Sequence, residues 1–483
     1  MRSARFLLSF VWFLATAAAA QQAQPATPAQ PQPSQQKKAP PKEHTITPAE
    51  AAELFRSVDQ ITTFVSKSTG LPQKQPIKRE IARRDLIEKL IRTRLQEDDN
   101  LERFKRSEAV LKKFGLIPRD FDLQAFLIRL MREQAAGFYN FRDRTVYLLD
   151  WIDEEAQKPV LAHELMHALQ DQSVDVENWL DGLPAGTTRE ERKRRRDQQV
   201  EQPDDEMAAR QAILEGQGMT VMLDYLLAPS GQTIMQAPQV VAMFEANTMA
   251  ESAKSPELSA APVYLREWLV FPYTRGLRFV HHVLMQKGKV AAYPELLSKP
   301  PHSTLEVMYP ELYVAGTKIP EMKLPDVAKL LGSEWSHFDT GAMGAFDISV
   351  FAEQFEKDDK LEDELTPTWR GGRYYAVRRN NRPMPGGGEA TAIPTSEIAL
   401  LYVSRWNSEK NAARFAQAYA SWLPQRYSEV KPAADACNCK WASNEGTVSI
   451  EQRGDTVLVL ESFDDAGATR LREAILPASD AAK

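Results

Sequence analysis

The stretch PVLAHELMHALQDQ, residues 159–172, constrains the fold of this chain more than any other segment. Most of its positions are apolar, so it predicts a helix packed inside the protein rather than on its surface. These apolar residues are Val160, Leu161, Leu165, Met166 and Leu169. The same helix carries His163 and His167, which lie one turn apart on one face. Because buried imidazoles need polar partners, the fold must bring further polar groups against this face.

His163, Glu164 and His167 form a His-Glu-x-x-His pattern in a chain that has only seven histidines. Two imidazoles four residues apart can point at one metal ion, and Glu164 is placed beside them to accept a proton from metal-bound water. Zinc held by neutral imidazoles lowers the pKa of that water to about 7. The pattern therefore predicts one Zn²⁺ ion with Glu164 as the general base. The alternative is an ordinary amphipathic helix with two histidines on its flank.

A catalytic zinc ion takes three protein ligands and keeps one open position. No third histidine lies near the motif, and Glu215 in AILEGQGM is the favoured third ligand because it lies on the next predicted core helix. Gly216 and Gly218 would allow that helix to approach closely. The alternative is that Glu215 faces solvent. The weaker candidates for the third ligand are acidic residues on the same segment: Asp205, Glu206 and Asp224.

The motif helix followed by a helix that bears Glu215 resembles the gluzincin family of zinc metallopeptidases, the thermolysin-like enzymes. AHELMHALQDQ, LEGQGM, FPYTRGLRFV and PPHSTLEVMYPELY resemble more closely a set of exported bacterial proteins of this metallopeptidase type. The first resemblance covers about residues 120–230, and the second extends loosely to the C-terminus. Together they imply an α+β fold: a mainly helical zincin-like core with a short β-sheet, which hydrolyses peptide bonds with one zinc ion.

The chain departs from the family pattern around the third ligand. Thermolysin-like enzymes carry Asn immediately before the ligand Glu and Asp four residues after it, where this chain has Leu214 and Met219. The carboxylate that orients a ligand imidazole must therefore come from elsewhere, and Asp171 and Asp224 are the candidates.

The family's later histidine, which assists the oxyanion, has no counterpart that matches its motif. Tyr273 and His302 are the two candidates for this catalytic role, against a structural role for each. In gluzincins the strand before the motif helix binds an extended substrate by β-addition, which implies that role for Val146–Leu149. The competing interpretation of the whole chain is an exported, inactive zinc-binding protein that serves as a binding module.

Composition and segment patterns divide the chain into four parts. Residues 1–20 have two arginines, an apolar run and a small-residue ending, which predict a secretory signal peptide cleaved near Ala20. Residues 21–46 are rich in Gln and Pro and predict a disordered tether. A helical zincin-like domain is predicted over 47–346, and a small α+β domain over 347–483.

Local patterns within these parts predict individual elements. Helices are expected throughout 47–115, a β-hairpin or two short strands over 138–149, and a helix over 204–227. Strands are expected in RGGRYYAVRR, EIALLYVSRW, GTVSIEQRG and DTVLVLES, with an amphipathic helix over 408–423.

The charge of the chain limits its partners. A formal net charge of −6 argues against a general nucleic-acid binder. The basic run at 189–199 precedes an acidic run at 201–206 and predicts a solvated surface. Together with the predicted signal peptide, the charge predicts an exported protein with no nucleic-acid partner and no stable membrane insertion, and the resemblance to metallopeptidases implies a peptide or protein substrate. It leaves the oligomeric state open.

Overall fold

The computed structural model describes residues 46–86, 89, 98–134, 137–197, 204–356, 359–380, 393–433 and 439–476. The predicted signal peptide and the predicted tether up to residue 45 lie outside these residues. Within them, helices combine with a three-stranded and a seven-stranded sheet, so the α+β class is confirmed. Among the described helices, none has both the length and the apolar character needed to cross a membrane.

The strands, numbered along the described chain, belong to two sheets. They are β1 (Lys78–Ala82), β2 (Phe138–Asn140), β3 (Thr145–Leu149), β4 (Trp335–Ala342), β5 (Trp369–Arg379), β6 (Ala399–Trp406), β7 (Val430–Pro432), β8 (Lys440–Ser443), β9 (Gly446–Arg453) and β10 (Thr456–Glu461). The small sheet has the order β1-β3-β2, and the large one β4-β5-β6-β10-β9-β8-β7.

The α-helices are numbered in the same way. They are α1 (Pro48–Thr69), α2 (Asp98–Phe114), α3 (Leu123–Gln134), α4 (Glu154–Val174), α5 (Val176–Leu180), α6 (Arg189–Asp197), α7 (Asp204–Leu227), α8 (Gln239–Lys254), α9 (Pro256–Ser259), α10 (Val263–Val290), α11 (Leu296–Ser298), α12 (Thr304–Met308), α13 (Pro310–Val314), α14 (Val327–Leu331), α15 (Ala345–Glu356), α16 (Asp359–Leu365), α17 (Glu409–Arg426) and α18 (Asp465–Ile475).

The first helix begins where the sequence predicts. Thr47 caps α1 through a reciprocal pair of hydrogen bonds with Glu50, and Pro48 occupies the first helical position. The prediction of helices throughout 47–115 is nevertheless wrong for Lys78–Ala82, which forms β1 and pairs in parallel with β3. Pairing with a strand almost seventy residues away overrides the helical spacing of the apolar residues in this segment.

The predicted hairpin over 138–149 is confirmed, because β2 and β3 pair antiparallel. The predicted β-addition of substrate to Val146–Leu149 is contradicted, because β3 is the central strand of its sheet. β1 pairs along one side of β3 and β2 along the other. Beyond the end of β2, the Gln157 side chain bonds both the N–H and the carbonyl of Leu149. The backbone of this strand therefore offers no open edge to a substrate.

The large sheet begins before the predicted domain boundary. Residue 347 falls inside α15, whereas β4 starts at Trp335 and pairs antiparallel with β5. The four strands predicted from RGGRYYAVRR, EIALLYVSRW, GTVSIEQRG and DTVLVLES are confirmed as β5, β6, β9 and β10. The predicted amphipathic helix is confirmed as α17.

Three long helices form the interior around the His-Glu-x-x-His motif. α4 is buried continuously from Val160 to Asp171, as its apolar flanks predict. α7 packs between α4 and α10, and its buried face runs from Asp204 to Asp224. The approach of α7 to α10 is close because each helix places a glycine at the crossing. A Cβ at Gly216 would lie 2.2 Å from the carbonyl oxygen of Gly276.

Candidate metal centre

His163 and His167 of α4 meet Glu215 of α7 in the protein interior. One potential ligand atom from each residue lies within 4.8 Å of the other two, and all three side chains are buried. The two imidazole Nε2 atoms lie 3.1 Å and 3.3 Å from the same carboxylate oxygen of Glu215. The three residues therefore form a group that could hold a metal ion.

The spacing of these atoms fits a small tetrahedral cation. Zinc binds imidazole nitrogen and carboxylate oxygen at about 2.0–2.2 Å, so neighbouring ligand atoms in a regular tetrahedron lie about 3.3–3.6 Å apart. The two measured N···O separations are at or just below the lower end of this range. Two imidazoles and one carboxylate also match the donor set of a catalytic zinc site with one open position. The residues present thus fit the predicted ion.

Close approach of α7 to α4 depends on Gly218. A Cβ at this position would lie 2.6, 2.7 and 2.9 Å from three atoms of the His163 ring. Real Cβ contacts do not approach so closely, so any larger residue would displace the imidazole. The sequence-based expectation that Gly216 and Gly218 permit close helix packing is confirmed: one glycine faces α10 and the other faces the His163 ring.

A pair of buried amides orients His167. The Nδ1 atom of His167 lies 2.8 Å from the Gln170 side-chain oxygen, and the Gln170 amide nitrogen donates to Gln217. Gln217 in turn donates to the carbonyls of Ala292 and Tyr293. An amide oxygen next to Nδ1 favours the tautomer with its proton there, which leaves Nε2 free to bind a cation.

This amide pair corrects the expectation that a carboxylate orients the imidazole. Asp171 instead accepts hydrogen bonds from the Tyr139 hydroxyl and the Val176 backbone N–H. Asp224 accepts one from the backbone N–H of Ile234. Both carboxylates are thus committed to holding neighbouring chain segments in place.

The sequence analysis missed the glutamines, although their positions carry a local signal. Gln170 lies three residues after His167, on the same face of α4, and Gln217 lies two residues after Glu215. Their contact with each other depends on the packing of α4 against α7.

Glu164 lies beside the three-residue group without belonging to it. Its carboxylate accepts a hydrogen bond of 2.7 Å from the backbone N–H of Tyr139 on β2. Burial raises the pKa of Glu164 to about 8, and the nearby Glu215 carboxylate adds to this rise. A carboxyl group with a pKa near neutrality can both accept and return a proton at physiological pH.

The three potential ligands have strongly coupled charges. Burial lowers the pKa of His163 to about 4, and a positive His167 contributes to this fall. Burial alone would also lower the pKa of His167, but the Glu215 carboxylate outweighs it and raises that pKa to about 9. Burial would raise the pKa of Glu215, but the two histidines, led by His167, lower it to about 2. Without a metal, Glu215 is therefore an anion paired with an imidazolium.

Tyr273 is the one predicted oxyanion candidate that lies at this centre. Its ring packs nearly parallel to that of His163, with 6.4 Å between centroids, and its hydroxyl bonds Glu215. Burial and the Glu215 and Glu164 carboxylates raise the pKa of Tyr273, so the hydroxyl stays protonated and able to donate.

His302 lies elsewhere. Its Nδ1 is 3.6 Å from Glu206, and its side chain is 77% exposed. Glu206 precedes Glu215 by nine residues on α7, which corresponds to about 13 Å along the helix axis. Asp205 is likewise engaged away from the centre, where it accepts a hydrogen bond from the Thr304 N–H. His302 is therefore not placed to stabilise an oxyanion at the candidate metal centre. Asp205 and Glu206 are likewise not placed to serve as the third ligand.

Comparison with known proteins characterises only the C-terminal part of the chain. Residues 336–472, which span β4 to most of α18, match a domain of unknown function, DUF8575. No curated protein and no solved structure matches the chain. The matched domain contains the large sheet and lies after the residues of the candidate metal centre in the sequence.

Proposed function

We propose that this protein is a zinc-dependent peptidase with a gluzincin-like centre and a zincin-like helical core. The observation that carries the proposal is the convergence of His163, His167 and Glu215, with Glu164 next to them and outside the ligand set. A metal site with a purely structural role has no need of a carboxylate at position 164. The resemblance of the motif to gluzincins and the donor set of two imidazoles and one carboxylate both support zinc as the ion.

Each nearby residue then has a distinct task. Zinc bound here would supply a Lewis acid that polarises a substrate carbonyl and makes water ionisable near neutral pH. Glu164 would take the proton from the attacking water and return it to the leaving amine, because it lies beside the potential ligands without being one of them. Tyr273 would donate a hydrogen bond to the developing oxyanion. Gln170 would hold the His167 ring in the tautomer that binds metal.

One observation favours a second candidate, an inactive zinc-binding protein. His163, Glu164, His167, Glu215 and Tyr273 each expose 6% of their surface or less. In addition, the backbone of β2 already donates to Glu164. A peptide can reach such a centre only if part of the surrounding structure moves, whereas a structural zinc ion needs no such opening.

The two candidates are separated by Glu164→Gln. The amide preserves the size of the side chain but cannot take a proton, so a peptidase should retain its zinc and lose about 10²–10⁴-fold in cleavage rate. Zinc content is measured by elemental analysis, and cleavage on a mixed peptide library by mass spectrometry. His167→Ala should lose both zinc and activity, because an imidazole ligand is removed.

A matched control is available on the same helix. Glu155→Gln changes an exposed glutamate in the first turn of α4, and it should leave zinc content and cleavage unchanged. A wild-type protein that is loaded with zinc yet cleaves nothing in the library would favour the inactive zinc-binding protein. Equal cleavage by wild type and Glu164→Gln would remove the proposed general base.

A further inference from the structure

A second cavity lies at the start of α7, away from the candidate metal centre. It has a volume of about 310 Å³ and lies between α7, the segment before α12, a loop around Met322 and the beginning of β5. Glu206 and His302 border it on one side and Arg373 on another. Ile319 and Met322 add an apolar surface. The cavity therefore combines charged groups with an apolar wall, as small-molecule sites do.

The acidic residues around this cavity already have partners. Asp205 accepts hydrogen bonds from the backbone and side chain of Thr304. Glu206 forms ion pairs with Arg210 at 3.0 Å and with His302 at 3.6 Å. Glu321 lies 3.6 Å from Lys323. The negative charge that borders the cavity is thus compensated within the protein.

Two N–H donors on β5 are not compensated in this way. The Nε of Arg373 and the indole Nε1 of Trp369 are buried and have no acceptor. Across the described residues, the Arg373 guanidinium has no hydrogen-bond or ion-pair partner at all. Trp369 is only 4% exposed, so water does not readily take the place of an acceptor. Buried donors without partners are rare, and a guanidinium that also lines a cavity can take its partner from a ligand bound there.

Two of the three residues between these donors on β5, Gly371 and Gly372, have no side chain. β5 has a bulge between Trp369 and Gly371, and Gly371 adopts a φ of 151°, which favours glycine. A Cβ at Gly372 would lie 2.4 Å from the Met343 carbonyl oxygen and 3.2 Å from the Trp369 indole nitrogen. Protein atoms therefore already fill the space beside both glycines, so that β5 packs closely against Met322 and Met343 at this wall of the cavity.

We propose that this cavity binds a carboxylate group, with Arg373 as its main partner. The planar guanidinium pairs with the two oxygens of a carboxylate through parallel hydrogen bonds. A phosphate dianion suits the cavity less well, because the positive charge of Arg373 balances only one of its two negative charges. The carboxylate comes from a small organic acid or from the free C-terminus of a peptide, with its apolar part against Met322 and Ile319. This binding function goes beyond the proposed peptidase and does not depend on it.

The test compares a carboxylate with its amide. Full-length protein carrying Glu164→Gln, which cannot consume a peptide through the proposed chemistry, is titrated calorimetrically with acetyl-tetraalanine, its C-terminal amide, succinate and inorganic phosphate. We expect at least one of the two acids to bind, and each acid that binds to do so at least about tenfold more tightly than the amide. Tighter binding of the peptide acid than of succinate assigns the site to peptide ends. The reverse order assigns it to small acids.

Substitutions on one strand provide the controls. Arg373→Gln should abolish the preference for the acid, and Arg373→Lys should retain part of it because the charge remains while the planar fork is lost. Arg379→Gln removes an arginine from the other end of β5, where its partners are Glu334 and Asp464, and should change nothing. Circular dichroism verifies that each variant is folded.

Three results would overturn the proposal. They are equal affinity for acid and amide, no binding of either acid at millimolar concentration, and full retention of the preference in Arg373→Gln. Tighter binding of inorganic phosphate than of both acids would also overturn it, since it would assign the cavity to a different class of anion.

Discussion

Replacement of Gly218 by alanine should weaken metal binding more than it weakens the fold. The new Cβ would lie 2.6 Å from the nearest atom of the His163 ring, whereas ordinary contact begins at 3.4 Å. The ring must therefore move by up to 0.8 Å, the difference between these distances. His163 has no exposed surface, so the displacement can be taken up only within the centre.

The size of the effect follows from the tolerance of metal coordination. Ligand atoms must stay within about 0.2 Å of their ideal distances, and the required shift exceeds this several times. Zinc affinity should fall by at least about 10–100-fold, the loss typical when the support of a ligand is damaged. By contrast, alanine stabilises a helix interior by about 0.5–1 kcal/mol relative to glycine, which offsets part of the strain in the metal-free fold.

The assay is a competition titration with a chromophoric zinc chelator, alongside urea unfolding of the metal-free protein. Gly216→Ala is the matched comparison on the same helix. Its Cβ would lie 2.2 Å from the backbone oxygen of Gly276, and this clash can be relieved only by separating α7 from α10. It should lower the free energy of unfolding more than Gly218→Ala does. Zinc affinity equal to that of wild type in Gly218→Ala would refute the reasoning.

Two further predictions address residues around the site and on the surface. Gln170→Leu removes the link between His167 and Gln217, so zinc affinity should fall about 10–100-fold in the same chelator titration; unchanged affinity would show that the amide pair does not support the ligand. Burial, helped by Glu267, raises the pKa of Glu353 from 4.5 to about 7, so the folded state favours its protonated form. The free energy of unfolding of wild type should therefore fall as the pH rises from about 4.5 to about 7, because Glu353 ionises more readily in the unfolded chain. Glu353→Gln has no such ionisation, so it should resist urea better than wild type at pH 8 but not at pH 4. A benefit that is equal at both pH values would contradict this assignment.

The sequence predicts those parts of the fold that depend on local patterns. α7 begins and ends where its acidic first turn and apolar face predict, from Asp204 to Leu227. The pair His163 and His167 follows from helical spacing alone, and both residues belong to the group that could hold a metal ion. Glu215 could be predicted as the third ligand from the sequence, because the motif requires one and because small residues follow it in the chain.

The features that depend on contacts between distant segments could not be predicted in the same way. Lys78–Ala82 becomes a strand because β3 is available to pair with it. Trp335–Ala342 joins the large sheet through pairing with β5, so the sheet begins before residue 347, the domain boundary predicted from local sequence patterns. The contact between Gln170 and Gln217 exists only once α4 and α7 are packed. In the sequence, His302 is a candidate because histidine can stabilise an oxyanion, but its side chain lies beside Glu206 and not at the candidate metal centre.

The account rests on one zinc ion between three named side chains, and anomalous diffraction at the zinc absorption edge tests this directly. Crystals of the protein purified without chelators should give a single strong peak, about 2.0–2.2 Å from the Nε2 atoms of His163 and His167 and from one carboxylate oxygen of Glu215. Glu164 should lie beside the peak without binding it. A map with no peak at this position, with Glu215 still hydrogen-bonded directly to both imidazoles, would contradict the account.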